Sequence, residues 1–106
     1  MQYSTLAFAL FPVAVFGSAQ INFYSDNNCQ NYIGTSYASL SGVAVGGPAG
    51  SKSMLFVNAD SCSDTCGPNL YFCKNQACSA YDLASRFGQC KSFTNGVWAA
   101  EDCGCL

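Results

Sequence analysis

The stretch INFYSDNNCQNY, residues 21–32, places a strand pattern, a turn pattern and a cysteine in direct succession. Ile21 and Phe23 alternate with other residues, which is typical of a β-strand with one buried face. The residues SDNN at 25–28 are typical of a tight turn, because Asp and Asn side chains bond nearby backbone N–H groups. The stretch therefore predicts a strand that ends in a turn, followed at once by Cys29.

A second stretch, LYFCKNQACSAY at residues 70–81, repeats this order 49 positions later. The matched pairs are Ile21 with Leu70, Phe23 with Phe72, Asp26 with Asn75, Asn27 with Gln76, Cys29 with Cys78 and Tyr32 with Tyr81. A weaker echo follows, since SKSM at 51–54 resembles CKSF at 90–93. Each half is thus predicted to form one four-stranded Greek-key unit, with its phenylalanine in the core.

The remaining segments predict further strands and one helix. SMLFVN at 53–58 is apolar on both alternating faces and predicts a central strand. Residues 90–93 and 96–100 predict two strands joined by the hairpin turn Asn95-Gly96. The segment 80–90 has the only helical pattern and predicts one short helix. We therefore expect a mainly β, disulfide-rich single domain, either a small β-sandwich or a Greek-key fold.

The N-terminal segment predicts secretion. Residues 6–17 are uncharged and apolar, which fits a signal peptide and is shorter than the ~20 residues that a membrane span needs. The small residues GSA at 17–19 predict cleavage after Ala19. We therefore expect a signal peptide at 1–19 and a secreted, extracellular domain at 20–106, without a membrane span.

The chain contains eight cysteines, an even number that predicts four disulfides in a short secreted domain. A domain of this size buries only about 60–65% of its unfolded surface, so covalent bridges supply stability that the core lacks. No other cysteine precedes Cys62, so the bridge from Cys29 must join the two halves. The remaining pairings stay open, and the cysteines are Cys29, Cys62, Cys66, Cys73, Cys78, Cys90, Cys103 and Cys105.

The composition argues against catalysis and against nucleic-acid binding. The sequence has no histidine, so a Ser-His-Asp or Cys-His arrangement is impossible. The cysteine spacings match no zinc site, so we expect neither a metal nor a cofactor. Four basic residues against six acidic ones give a net charge of −2, which cannot neutralise a run of phosphates.

The first stretch and the strand at 53–58 resemble the motif of βγ-crystallin domains. That motif begins with an apolar-x-aromatic-aromatic strand and an acidic or Asn-rich turn, and a buried serine opens a later strand. The matching positions are Ile21, Phe23, Tyr24, Asp26, Ser53, Met54 and Phe56, whereas Cys29 and Asn31 replace the family's aromatic and glycine. The resemblance implies two Greek-key units and, because the segment GGPAGSK at 46–52, directly before Ser53, has no acid, a member without calcium.

Two further similarities concern binding. The pattern C-x4-CS, followed by aromatic residues and FGQC, resembles the chitin-binding hevein module. That resemblance implies that Ser79, Tyr81 and Phe87 would hold N-acetylglucosamine. The only tryptophan, Trp98, is the best candidate for a contact residue, with a place in the core as the alternative.

The architecture is similar to that of small cysteine-rich secreted fungal proteins, many of which are candidate effectors. We therefore expect a non-enzymatic interaction protein that binds a host or competitor protein outside the cell. The alternatives are a module that binds chitin or another cell-wall polysaccharide, and a secreted toxin or inhibitor.

Overall fold

Every regular element that the structure describes is a β-strand. A computed structural model of the protein describes residues 19–60, 62, 66–84, 87–94 and 96–105. The expected signal segment lies outside these residues, except for Ala19. The strands are β1 (Ala19–Tyr24), β2 (Tyr32–Ala38), β3 (Val45–Gly46), β4 (Ser53–Asn58), β5 (Asn69–Cys73), β6 (Tyr81–Leu83), β7 (Lys91–Ser92) and β8 (Trp98–Asp102).

The strands form two four-stranded antiparallel sheets. The first sheet has the order β2-β1-β4-β7, and the second has the order β3-β8-β5-β6. Three strands of each half therefore stay together, while the third strand of each half crosses into the other sheet. The predicted mainly β, disulfide-rich fold is confirmed, and the exchange of β3 and β7 ties the two halves together.

The core consists of side chains that alternate along the central strands. Phe23 on β1 and Phe72 on β5 are 0% and 1% exposed, so both phenylalanines of the predicted repeat point inward. Phe56 on β4 packs against Phe72 with 5.4 Å between the ring centroids. The strand predicted at 53–58 is confirmed as β4, which lies between β1 and β7.

The two copies of the repeat form equivalent hairpins at 25–31 and 74–80. In each hairpin the backbone N–H of the first residue donates to the carbonyl oxygen of the last, at 2.9 Å and 2.8 Å respectively. Cys29 and Cys78 both adopt a left-handed backbone, with φ of 55° and 54°. The predicted repeat is thus confirmed for these hairpins, which match residue by residue at the expected offset.

The acidic or amide side chain of each turn also has the same role. Asp26 Oδ1 accepts the backbone N–H of Gln30 at 3.1 Å. In the second hairpin, Asn75 Oδ1 accepts the backbone N–H of Ser79 at 3.0 Å. The backbone N–H groups of Asn31, Gln30 and Asn28 hold the pKa of Asp26 below its ordinary value, because they stabilise the ionised carboxylate.

Three predictions made for the second half are wrong in detail. The residues CKSF do not occupy the place in the second unit that SKSM occupies in the first. Instead the two segments lie side by side in one sheet, where Ser92 on β7 pairs with Ser53 on β4. Ser53 lies opposite Tyr24 in the first sheet, and Trp98 lies opposite Cys73 in the second. Because Tyr24 and Cys73 are equivalent at the offset of 49 residues, Trp98 is the counterpart of Ser53 in the repeat.

The predicted β7–β8 hairpin does not form, because these strands belong to different sheets; Asn95 lies outside the described residues. The predicted short helix at 80–90 is also wrong for the described part, where Tyr81–Leu83 is strand β6. Residues 85 and 86 are not described.

All eight cysteines form disulfides, as predicted. The pairs are Cys29–Cys90, Cys62–Cys103, Cys66–Cys105 and Cys73–Cys78. The bridge from Cys29 to Cys90 joins the two halves, which confirms the expectation for this cysteine. Two bridges fasten the segment after β4 to the C-terminal end, and the last one closes the second hairpin.

Candidate functional site

A groove on the outer face of the second sheet brings together two tyrosines and a carboxylate. Its volume is about 290 Å³, and its walls include Tyr71 of β5, Tyr81 of β6, Asp102 of β8 and the loop residue Gly42. Tyr71 lies between two buried neighbours on β5, so the alternation of the strand directs its side chain away from the core. The antiparallel pairing of β5 with both β6 and β8 places these side chains side by side.

The tyrosines have a fixed arrangement. The rings of Tyr71 and Tyr81 meet edge to face, with 4.9 Å between centroids and an interplanar angle of 83°. The Tyr71 hydroxyl donates to Asp102 Oδ1 at 3.0 Å. Burial, together with this bond, raises the pKa of Tyr71 to about 12. Tyr71 is therefore a neutral donor whose orientation is set, and it supports the half-exposed ring of Tyr81.

Strand β6 is one edge of the second sheet, and it carries exposed apolar side chains. Tyr81 and Leu83 lie on the same face of this strand, and they are 49% and 48% exposed. Phe87, a few residues further on, is 51% exposed. We refer to Tyr81, Leu83 and Phe87 as the β6 edge surface.

The opposite face of β6 is charged. Asp82 forms an ion pair with Lys91, at 2.8 Å between the carboxylate oxygen and Nζ. Lys91 holds the pKa of Asp82 below its ordinary value. The charged groups therefore lie on one face of β6, and the side chains of Tyr81 and Leu83 lie on the other.

The candidate sugar-binding residues do not all lie in the groove. Tyr81 lines it, whereas Ser79 and Phe87 are not among its walls. The Ser79 hydroxyl accepts a hydrogen bond from Asn75 Nδ2 at 2.8 Å, which gives it a role within the second hairpin.

Trp98 lies on β8 and is half-buried. Its register partner is Gly46 of β3, and a Cβ atom at that position would come within 2.8 Å of the indole ring. Glycine is therefore required beside this ring. Trp98 also lines a separate shallow groove of about 260 Å³ with the glycine-rich loop at 46–51.

Three of the described acidic side chains have structural partners outside the pair Asp60 and Glu101. Asp26 caps the first hairpin, Asp82 pairs with Lys91, and Asp102 accepts from Tyr71. Asp60 and Glu101 are buried together, away from any groove described above. Within residues 19–60, 62, 66–84, 87–94 and 96–105, no group of three or more metal-ligating side chains comes together, and no helix could cross a membrane.

Sequence reasoning missed Tyr71 and Asp102. The strand pattern at 70–72 marks Tyr71 as outward-facing, but it does not indicate which side chain lies beside it. Asp102 follows the strand predicted at 96–100, and only the register of β5 against β8 brings it to Tyr71. Comparisons of the chain with protein-family models, with curated proteins and with solved structures find no match.

Proposed function

We propose that the protein is a non-enzymatic extracellular interaction protein of the effector type, and that it binds a partner protein through the β6 edge surface. The observation that carries this proposal is the exposure of Tyr81, Leu83 and Phe87 on and after an edge strand. Large apolar side chains that are half exposed in so small a domain are typical of a contact surface.

The chemistry of an edge strand favours a polypeptide as the partner. Among the described strands, β6 pairs only with β5, so the outer side of its backbone can accept a further strand. Strand addition supplies backbone hydrogen bonds, and alternate side chains such as Tyr81 and Leu83 supply specificity. The disulfide frame lowers the entropic cost of binding, because little of the surface must be ordered.

The disulfides support action outside the cell. Four bridges in one small domain are typical of an oxidising compartment. The apolar N-terminal segment provides the export signal that this proposal needs.

The test is affinity capture from host extracellular fluid with the oxidised protein. Leu83→Asp places a charge on the β6 edge surface and should abolish capture of the partner. Tyr37→Asp is the matched control, because Tyr37 lies on β2, an edge strand of the other sheet, and is 41% exposed. Equal capture by both variants would refute the proposed surface.

Carbohydrate binding is the second candidate, and the tyrosine groove favours it. A sugar could stack on Tyr81 while its hydroxyl groups donate to Asp102, whose Oδ2 atom lies 3.3 Å from the Tyr71 hydroxyl. The measurement is retention on insoluble chitin, with Tyr81→Ala and Asp102→Asn as variants and Tyr37→Ala as the control. Loss of retention in the first two variants alone would favour the carbohydrate function. A toxin or inhibitor would instead act in assays of secreted hydrolases or of microbial growth.

A distant relationship to βγ-crystallin domains is also part of this proposal. It is supported by two units that exchange their third strands. It is further supported by Ser53, which is fully buried at the start of β4 and donates from Oγ to the carbonyl oxygen of Asp26 at 2.6 Å. In this interpretation the first hairpin maintains the fold and has no chemical role.

A further inference from the structure

The tyrosine groove opens on the same face of the second sheet as the apolar side chains of β6. Directly opposite residues of an antiparallel pair point to the same face, and so do residues two apart on one strand. Tyr71 of β5 lies opposite Leu83, and Asn69, two residues earlier, lies opposite Asp102 of β8. Tyr81 precedes Leu83 by two residues on β6 and therefore shares this face. A partner that covers the β6 edge surface thus lies beside the groove.

Small residues keep the space beside the carboxylate open. Gly42, Ala77 and Ala100 are among the walls of the groove, whose volume is about 290 Å³. A Cβ atom at Gly42 would lie 4.0 Å from Asp102 Oδ2. Gly42 has a φ of 81°, so a larger residue is disfavoured there. The groove therefore has room for the head group of one side chain next to Asp102.

Three hydrogen-bond donors that line the groove are already used within the fold. The Tyr71 hydroxyl donates to Asp102 Oδ1 at 3.0 Å. The backbone N–H groups of Gly42 and Cys78 each donate to a backbone carbonyl oxygen, at 3.0 Å in both cases. A ligand in this groove therefore meets acceptors more readily than donors.

Asp102 keeps acceptor capacity on the side of the groove. Its Oδ1 atom accepts from Tyr71 and also from Asn69 Nδ2, at 3.2 Å. Its Oδ2 atom lies 3.3 Å from the Tyr71 hydroxyl, whose single proton is better placed for the nearer Oδ1. Within the part of the chain that the structure describes, Asp102 has no ion-pair partner, since the ion pair found there joins Lys91 to Asp82.

The aromatic walls add a second attraction for positive charge. The rings of Tyr71 and Tyr81 are nearly perpendicular, with an interplanar angle of 83° and 4.9 Å between centroids. The faces of aromatic rings carry negative potential and attract ammonium and guanidinium groups. The half-exposed ring of Tyr81 can therefore contact a cation that also binds Asp102 Oδ2.

We propose that the tyrosine groove binds the cationic head group of a lysine or arginine side chain of the partner protein. Both head groups have several N–H donors and no acceptor, which matches a groove with a free carboxylate oxygen and few free donors. The net charge of −2 also favours a basic partner segment. The identity of the occupant rests on the proposed partner surface, whereas the preference of the groove for a cation does not.

The test is an NMR titration of the oxidised, isotope-labelled protein with small probes. Nα-acetyl-lysine amide and Nα-acetyl-arginine amide carry the two head groups, and Nα,Nε-diacetyl-lysine amide has the same stem as the first without its charge. At least one cationic probe should shift the resonances of Tyr71, Tyr81 and Ala100, and the shifts should weaken at high salt. The uncharged probe should not shift them. Equal shifts by charged and uncharged probes, or no shifts by either cationic probe, would overturn the proposal.

Variants separate the groove from a general attraction of the acidic protein for cations. Asp102→Asn and Tyr81→Leu should each weaken binding of the cationic probe about two- to fivefold, the usual scale for one exposed ion pair or one cation–π contact. Asp82→Asn is the matched control, because it removes the same charge from the opposite face of β6, and it should leave binding unchanged. Equal losses in Asp102→Asn and Asp82→Asn would contradict the proposal.

A sugar probe distinguishes this inference from the carbohydrate candidate. If N-acetylglucosamine shifts the groove resonances and the cationic probes do not, the inference is overturned and carbohydrate binding is favoured. The partner surface is tested separately, by capture with Leu83→Asp. Failure of the cationic probes would leave that surface unaffected, and capture that does not depend on Leu83 would refute the surface without affecting cation binding in the groove.

Discussion

Removal of the Cys29–Cys90 bridge should destabilise the protein more than removal of any bridge between close neighbours. The matched comparison is the double variant Cys29→Ala/Cys90→Ala against Cys73→Ala/Cys78→Ala. Double variants leave no unpaired thiol that could form a wrong bridge. The comparison is well matched, because Cys29 and Cys78 occupy equivalent hairpin positions with φ of 55° and 54°.

The expected magnitudes follow from the loops that the two bridges close. The sequence separations are 61 and 5 residues. The chain-entropy relation gives about 4 kcal/mol for the long loop and about 2 kcal/mol for the short one. The bridge between Cys62 and Cys103 shortens the effective long loop, but the dependence is logarithmic and changes the value little.

The assay is equilibrium unfolding in urea, after mass spectrometry has shown three remaining bridges in each variant. We expect the midpoint to fall further for the Cys29/Cys90 variant. Cys73 is fully buried, so its replacement also loses packing contacts. This extra loss destabilises the short-loop variant and therefore acts against the expected order. If the short-loop variant is equally or more destabilised, loop closure is not the main source of the stability.

Three further expectations concern the core and the buried polar groups. Phe23→Ala and Phe72→Ala should each lower the free energy of unfolding by about 3–5 kcal/mol in denaturant titrations; a loss below 1 kcal/mol in either would contradict the repeat. Ser53→Ala should cost about 1–3 kcal/mol, because it removes the part-buried hydrogen bonds to the Asp26 carbonyl oxygen and from the Cys29 N–H, and unchanged hydrogen exchange in the first hairpin would refute this. Stability should fall as the pH rises from 4.5 to about 7, because the folded state holds the Glu101 proton more tightly than the unfolded state; thermal unfolding at several pH values measures this, and a flat profile would contradict it.

The strands with their own alternation could be predicted from the sequence, whereas those defined by pairing could not. β1, β4 and β5 lie where alternating or continuous apolar residues predict them. β2 has little pattern of its own and includes Gly34, which lies against Pro48 of the following loop. It is a strand because it pairs along its whole length with β1.

Local signals at the end of the chain were overridden by contacts between the sheets. The turn Asn95-Gly96 predicts a hairpin, yet β7 pairs with β4 and β8 pairs with β5. The helical pattern depends on Leu83 and Phe87, but both are about half exposed and so provide no core-facing stripe. The tyrosine groove likewise depends on the register of β5 and β8, which no local pattern contains.

The two hairpins show how a repeated unit can keep its shape while its means of support diverges. The first hairpin is held from outside, by the Ser53 hydroxyl, which accepts from the Cys29 N–H at 3.2 Å, and by the bridge to Cys90. In the second unit Trp98 occupies the place of Ser53 and offers no hydroxyl group. There the hairpin is closed by its own bridge, between Cys73 and Cys78. In the second unit the short disulfide therefore takes the place of the support that a serine gives the first hairpin, while Trp98 covers Gly46 of β3. The left-handed backbone at Cys29 and Cys78 is the same in both hairpins.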